Sequence, residues 1–252
     1  MEKYKISGST LKIIAMITMV IDHVCYAILR YYAPFAKDGE YRYIYEILRY
    51  ISRISFPIVA FLLAEGFYHT SNRKKYFIRL VIFSLVSELP FNLAFYHTLW
   101  HPEYQNVFPD LLLGFIALLG VYELRKLYYS DKFSKFVQTT AERYVFYIAA
   151  VVFVVALCMM VAELLKVDYG AEGVFMIVIF YMLREKPVVA TLIGCLALNT
   201  DSEIEITSFL AIIPIYLYNG KRGLKMKYIF YLFYPIHLFI LYVIYKLINM
   251  KY

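Results

Sequence analysis

Residues 144–165 read YVFYIAAVVFVVALCMMVAELL, an apolar run interrupted by a single charge at Glu163. A bilayer's hydrocarbon core is about 30 Å thick, and an α-helix crosses it in about 20 residues. Lipid offers no partner for backbone amides, so a segment of this length and character is read as a spanning helix. Working outward, further apolar segments fall at 11–29, 43–67, 76–95 and 107–124 on one side and at 173–183, 188–198, 206–217 and 228–248 on the other. The sixth to eighth are short for a crossing and read as tilted, partial or re-entrant helices. Composition agrees: 62% of the 252 residues are hydrophobic and mean hydropathy is +0.61, whereas soluble domains run near ~45–50% apolar. The chain is predicted to be all-α, a polytopic integral membrane helical bundle of about nine transmembrane helices, forming one domain over residues 1–252.

The formal net charge of +7 is not the footprint of a nucleic-acid binder, because the cations lie in short runs between apolar segments and not along one polar face. Arg73-Lys74-Lys75, then Arg125, Lys126, Lys132, Lys135 and Arg143, then Arg184 with Lys186, then Lys221, Arg222, Lys225 and Lys227 occupy alternate connections. The intervening loops at 97–106 and 199–205 hold no Lys or Arg. By the positive-inside rule the basic loops face the cytoplasm, which puts the N-terminus inside and the C-terminus outside. Residues 127–142 read as an amphipathic cytoplasmic connection. Cys25, Cys158 and Cys195 all sit in apolar stretches, where a thiol acts as a small hydrophobe. The first apolar run lacks a small-residue cleavage pattern and reads as a retained span.

Ionisable groups at membrane depth cost several kcal/mol unless paired or wetted, so each is a candidate functional group. Asp22 and His23 interrupt the first segment, Arg53 and Glu65 the second, Arg79 and Glu88 the third; Asp110 and His237 complete the set. Glu65 and Arg79 flank one turn at similar depth and are expected to pair, while Arg53, Glu88 and Asp22 share a mid-membrane level. Glu46, Arg49 and Arg53 are spaced three and four apart, which puts them on one helical face. His23 is the sharpest candidate, since an imidazole exchanges protons near neutral pH. Asp22 points about 100° away from it around the helix, so an orienting partner must come from elsewhere: Glu88, Asp22 after local adjustment, or a backbone carbonyl. His237 follows Pro235, which kinks its helix and frees a carbonyl.

His97, His101 and Glu103 have a spacing compatible with a metal only if helical, and Pro102 argues against that; beside Trp100 and Tyr104 they read as interfacial anchors. Gln105-Asn106 followed by Asp110 reads equally as a cavity mouth or a helix cap. The turn Asn219-Gly220-Lys221-Arg222-Gly223 serves topology and offers cations to a phosphorylated cofactor. Neither a Walker pattern nor a dinucleotide fingerprint occurs.

Taken together, Ile21-Asp22-His23, Arg53-Ile54-Ser55-Phe56-Pro57, Phe61-Leu62-Leu63-Ala64-Glu65-Gly66-Phe67, Ser87-Glu88-Leu89-Pro90-Phe91-Asn92, Gln105-Asn106-Val107-Phe108, Asp168-Tyr169-Gly170, Tyr218-Asn219-Gly220-Lys221-Arg222-Gly223 and Phe233-Tyr234-Pro235-Ile236-His237 resemble the TraX family. The resemblance covers nearly the whole chain. It implies the activity for which that family is named, N-terminal acetylation of F-pilin in conjugation, and kinship with transmembrane acyltransferases that draw acetyl-CoA from the cytoplasm. It also implies a multi-pass protein of the bacterial inner membrane, whose acceptor is a pilin-like peptide or a cell-surface glycan. By that analogy His23 is the general base or acyl carrier, with Asp22, Glu88 and His237 around it. Arg53 then binds the cofactor or stabilises the oxyanion, and Arg49, Lys74, Lys75, Lys221 and Arg222 hold the nucleotide end of CoA. Two other readings compete. A proton-coupled transporter would use Asp22, Glu88 and His23 as a relay, although no inverted repeat is visible. A noncatalytic scaffold would use the same charges to fix helix packing.

Overall fold

The computed structural model describes residues 5–30, 40–130, 139–200 and 203–249. Lys132 and Lys135, and with them half of the expected 127–142 connection, lie outside these. Among the described residues ten α-helices follow one another: α1 Gly8–Val24, continued by a π turn at Cys25–Leu29; α2 Glu40–Ser52; α3 Ser55–His69; α4 Arg73–Tyr96; α5 Val107–Tyr128; α6 Thr140–Leu164; α7 Gly170–Met182; α8 Pro187–Leu198; α9 Ile212–Tyr216, entered through a 3₁₀ segment Glu203–Ala211; and α10 Lys227–Asn249. No strand forms among the described residues, where Ile6 and Tyr218 make an isolated bridge.

Among the described residues six stretches are long and apolar enough to cross a membrane: Gly8–Leu29, Arg42–His69, Arg73–Tyr96, Val107–Tyr128, Thr140–Leu164 and Tyr228–Asn249. The other three apolar segments form helices too, but at Gly170–Met182, Pro187–Leu198 and Ile204–Tyr216 they are shorter. Every predicted apolar segment is thus helical, while six, not nine, have spanning length.

Local sequence sets the helix ends. Ser7, Asn72, Asn106 and Thr139 each accept an amide of the first turn that follows, which satisfies donors that no intrahelical carbonyl can reach. The second apolar segment is one run in sequence, yet it breaks at Arg53 and Ile54. Pro57 explains the break: it has no N–H for the carbonyl four residues earlier, that of Arg53, and its ring crowds that carbonyl.

α3 (SFPIVAFLLAEGFYH) is apolar on all sides, as expected of a helix buried all round. Phe56, Ile58, Ala60, Phe61, Leu63, Ala64 and Phe67 are all buried. It packs against α1, α5, α7 and the 3₁₀ segment, with Phe67 meeting Phe115 and Tyr181 edge to face at 5.1 and 5.4 Å. α6 lies outside α5 and α7 and exposes Val145, Val152, Phe153 and Leu157, a surface that only lipid would solvate well. α1 meets both α3 and α10. Its first amides, Gly8 and Ser9, donate to the carbonyls of Lys221 and Arg222 at 2.8 and 3.0 Å, and Leu224 N donates to Ser9 Oγ. The glycine-bounded basic turn therefore clasps the start of α1.

Candidate functional site

Two cavities penetrate the bundle from opposite ends of α1. The smaller, about 140 Å³, is bounded by Asp22, His23, Arg49, Arg53, Asp168 and several aromatic rings. The larger, about 510 Å³, is bounded at its mouth by Lys12, His69, Ser71, Gly220 and Arg222 and extends inward past Arg79 and Tyr76. Met19, Val59, Val107 and Tyr234 line both, so the two adjoin at these four side chains.

In the smaller chamber, Asp22 Oδ1 accepts from Arg49 at 2.5 Å, from Ser52 Oγ at 2.7 Å and from Arg53. Arg53 also donates to Glu205 Oε1 at 2.9 Å from the 3₁₀ segment. The break forced by Pro57 puts Arg53 at a helix end, where its fork reaches both carboxylates. Its two terminal nitrogens each make one of these bonds, and its Nε has no partner among the described residues. Across the chamber Tyr104 donates its hydroxyl to Asp168, 2.9 Å from both Oδ1 and the backbone oxygen. Desolvation pushes the Asp168 carboxyl up to about 6 despite that hydrogen bond and the nearby arginine. Tyr104, expected at the interface, instead forms part of this wall, whereas Trp100 is exposed.

His23 and His237 come together although 214 residues separate them. His23 Nδ1 lies 2.6 Å from His237 Nε2, and the rings are within 5° of parallel. His237 Nδ1 lies 2.8 Å from the Phe233 carbonyl. A carbonyl only accepts, so His237 Nδ1 carries the proton and its Nε2 offers a lone pair. His23 Nδ1 must then donate, which leaves the lone pair of neutral His23 on Nε2. The orienting partner of His23 is thus His237, and neither Glu88 nor Asp22 fills that place. Phe95 and Tyr234 meet the His23 ring edge-on at 5.3 and 5.7 Å.

Other expected groupings are rearranged. Glu65 does not pair with Arg79: its Oε1 accepts from Arg184 Nε at 2.9 Å, and His69 approaches the other oxygen at 3.4 Å. Arg79 lies over the rings of Tyr76 and Tyr231. The rotation of α4 about its axis causes this difference, because it turns Arg79 toward α10. Glu88 does not join Arg53; it accepts from Asn106 Nδ2 at 2.5 Å, while Asn106 Oδ1 caps α5 through Phe108 N. Glu46 leaves the Arg49–Arg53 pair and bonds Arg42 at the surface. His97 and His101 stack on Tyr245 and Tyr96, and Glu103 pairs with Lys166. Asp110 is buried and accepts from the Tyr169 amide at 2.7 Å. Arg222 reaches the large cavity's mouth, while Lys74, Lys75 and Lys221 are exposed and do not line it. Sequence reading missed Glu205 and Lys12; their only signals were a carboxylate ending a polar loop and a cation inside the first apolar run.

The family model described as TraX protein matches residues 7–245. The chain is 26% identical to the probable fimbrial assembly protein FimC, serogroup H1, of Dichelobacter nodosus, across 92% of this chain and 93% of that one. No solved structure gives a significant match. With a multi-pass helical bundle and a family match along almost its whole length, the chain belongs to the TraX family.

Proposed function

We propose that the protein is an acyltransferase of the bacterial cytoplasmic membrane, moving an acetyl group from acetyl-CoA to an amine or hydroxyl of a membrane or exported acceptor. The observation that carries this reading is the meeting of two unlike cavities beside the His23–His237 pair. The larger has cations at its mouth, Lys12 and Arg222, suited to the phosphates of CoA, and Arg79 further in. Lys74, Lys75 and Lys221 would attract the same anion from the surface. The apolar passage past Leu62, Leu63 and Leu111 suits a pantetheine arm. The smaller chamber, with Arg49 and Arg53 held by carboxylates, suits a polar acceptor; these arginines are assigned to that side and not to the cofactor.

A thioester is already activated, so transfer needs mainly a base for the acceptor and donors for the developing oxyanion. His23 Nε2 is the base, and His237 holds its tautomer as a positioning residue. The relative from Dichelobacter nodosus is named a probable fimbrial assembly protein, which makes a pilin-like peptide the first acceptor to try and a cell-surface glycan the second.

The test is the thermal unfolding midpoint of detergent-purified protein with and without acetyl-CoA. A ligand that binds only the folded state at 100 times its Kd stabilises it by about 2.7 kcal/mol. Wild type is expected to shift and Arg222→Ala to lose most of the shift. A folded wild type that does not respond rules out the cofactor, and proton-coupled uptake then becomes the reading to test.

A further inference from the structure

Tyr234 lies at the junction of the two cavities, and neither the base nor the charge network uses it. Of the four residues common to both cavities it alone has a polar side chain. It is 3% exposed, and its ring sits edge-on to both His23 (5.7 Å) and His237 (5.6 Å). Its hydroxyl is sealed from water, and its proton has no acceptor among the described residues. Buried tyrosine hydroxyls usually find one, and an unpaired buried group costs about 1–3 kcal/mol. The Val107 amide, at the first position of α5, approaches the phenol oxygen as a donor and leaves the O–H proton unused. It adds the partial positive charge of a helix N-terminus to the same point. Arg53, the other candidate for this task, is held by Asp22 and Glu205 through its terminal nitrogens and is not among the residues that line both cavities.

We propose that the Tyr234 hydroxyl is a catalytic group that donates a hydrogen bond to the carbonyl oxygen of the bound thioester, at the boundary between the two cavities. The inference rests on the acyl-transfer reading. The acceptor's nitrogen or oxygen bonds to the carbonyl carbon while its proton passes to His23 Nε2. The carbonyl π pair moves onto oxygen, where the Tyr234 O–H meets it. Collapse of the intermediate restores the C=O, breaks the C–S bond, and expels CoA thiolate, which takes the proton back from His23. Tyr234 keeps its own proton throughout.

The experiment is isotope-edited infrared spectroscopy of the full-length protein in lipid nanodiscs, using acetyl-CoA with carbon-13 at the thioester carbonyl. The bound carbonyl stretch should fall below that of acetyl-CoA in water, and Tyr234→Phe should return it upward while saturable binding persists. A purely structural tyrosine would leave the stretch unmoved. Tyr234→3-fluorotyrosine, which keeps the shape and donates more strongly, should lower the stretch further, and it serves even if the Phe variant fails to fold. A wild-type stretch at or above the aqueous value overturns the proposal while leaving acyl transfer standing, as does a fluorinated variant with no further shift. If wild-type protein binds no acetyl-CoA, both are overturned.

Discussion

Arg49 and Arg53 both hold Asp22, yet replacing them should have unequal consequences. In Arg49→Ala, Asp22 loses one donor and keeps Ser52 and Arg53. The loss is about one hydrogen bond to a charged group, ~1.5–3 kcal/mol. Arg53→Ala removes donors from two carboxylates at once, and Glu205 is left with no cation among the described ion pairs. The side chains are well shielded, at 9% exposed for Arg53, 10% for Glu205 and 19% for Asp22, so water replaces little of what is lost. Orphaning one member of such a pair costs about 3–5 kcal/mol. The gap is thus about 2 kcal/mol, roughly a 30-fold difference in the folded-to-unfolded ratio. Reversible unfolding in mixed micelles of increasing denaturing-detergent fraction would measure it, with the Arg53→Ala/Glu205→Gln double variant as control. That double variant should recover part of the loss, because the stranded charge is gone. Equal costs for the two arginines, or a double variant no better than Arg53→Ala, would refute the shared-carboxylate account.

Three further outcomes are expected. The Asp168 carboxyl is raised from an ordinary value near 4 to about 6 by burial, so the folded state holds its proton more tightly than the unfolded chain. Its contribution to stability is fully present below pH 4 and declines as pH rises to about 6; a melting-midpoint titration should show that decline, and Asp168→Asn should abolish it. Gly223→Ala places a Cβ 2.2 Å from Ser9 Oγ at a φ of +69°, a conformation costing other residues about 1–2 kcal/mol. The melting midpoint should therefore drop and proteolysis near residue 6 should quicken. In histidine-labelled protein, nitrogen-15 spectra should report His23 protonated on Nδ1, and His237→Leu should release it to a tautomer mixture; a wild-type Nε2–H signal at His23 would contradict the assigned tautomer.

The apolar segments were legible because burial in lipid demands long uninterrupted runs, and all nine became helices. What the sequence could not reveal was rotation and register between helices. Glu65 and Arg79 flank one short turn, yet Arg184, over a hundred residues away, takes the glutamate. Lipid-facing and protein-facing sides are both apolar in α4 and α5, so no periodicity marks which way Arg79 or Glu88 turns. The break before α3 was written in Pro57, but a hydropathy window averages over a single proline. His23 and His237 were each identifiable as costly intramembrane groups, whereas their contact depends on α1 lying against α10, which no local pattern encodes. Glu205 sits at the end of a polar loop, where a carboxylate is unremarkable until Arg53 reaches it.

Because the paired imidazoles come from α1 and α10, the two halves of the pair are synthesised far apart in time. At roughly 5–20 residues per second, the ribosome needs about ten to forty seconds to progress from one histidine to the other. For most of that interval Ser52 and both arginines are already made and available to Asp22, so α1 can be seated before its imidazole has a mate. A chain stalled before α10 would hold a formed acid–arginine chamber and no oriented base. Insertion of α10 is therefore the step that orients the His23 imidazole, and on the acyl-transfer reading proposed above it is the step that completes the base.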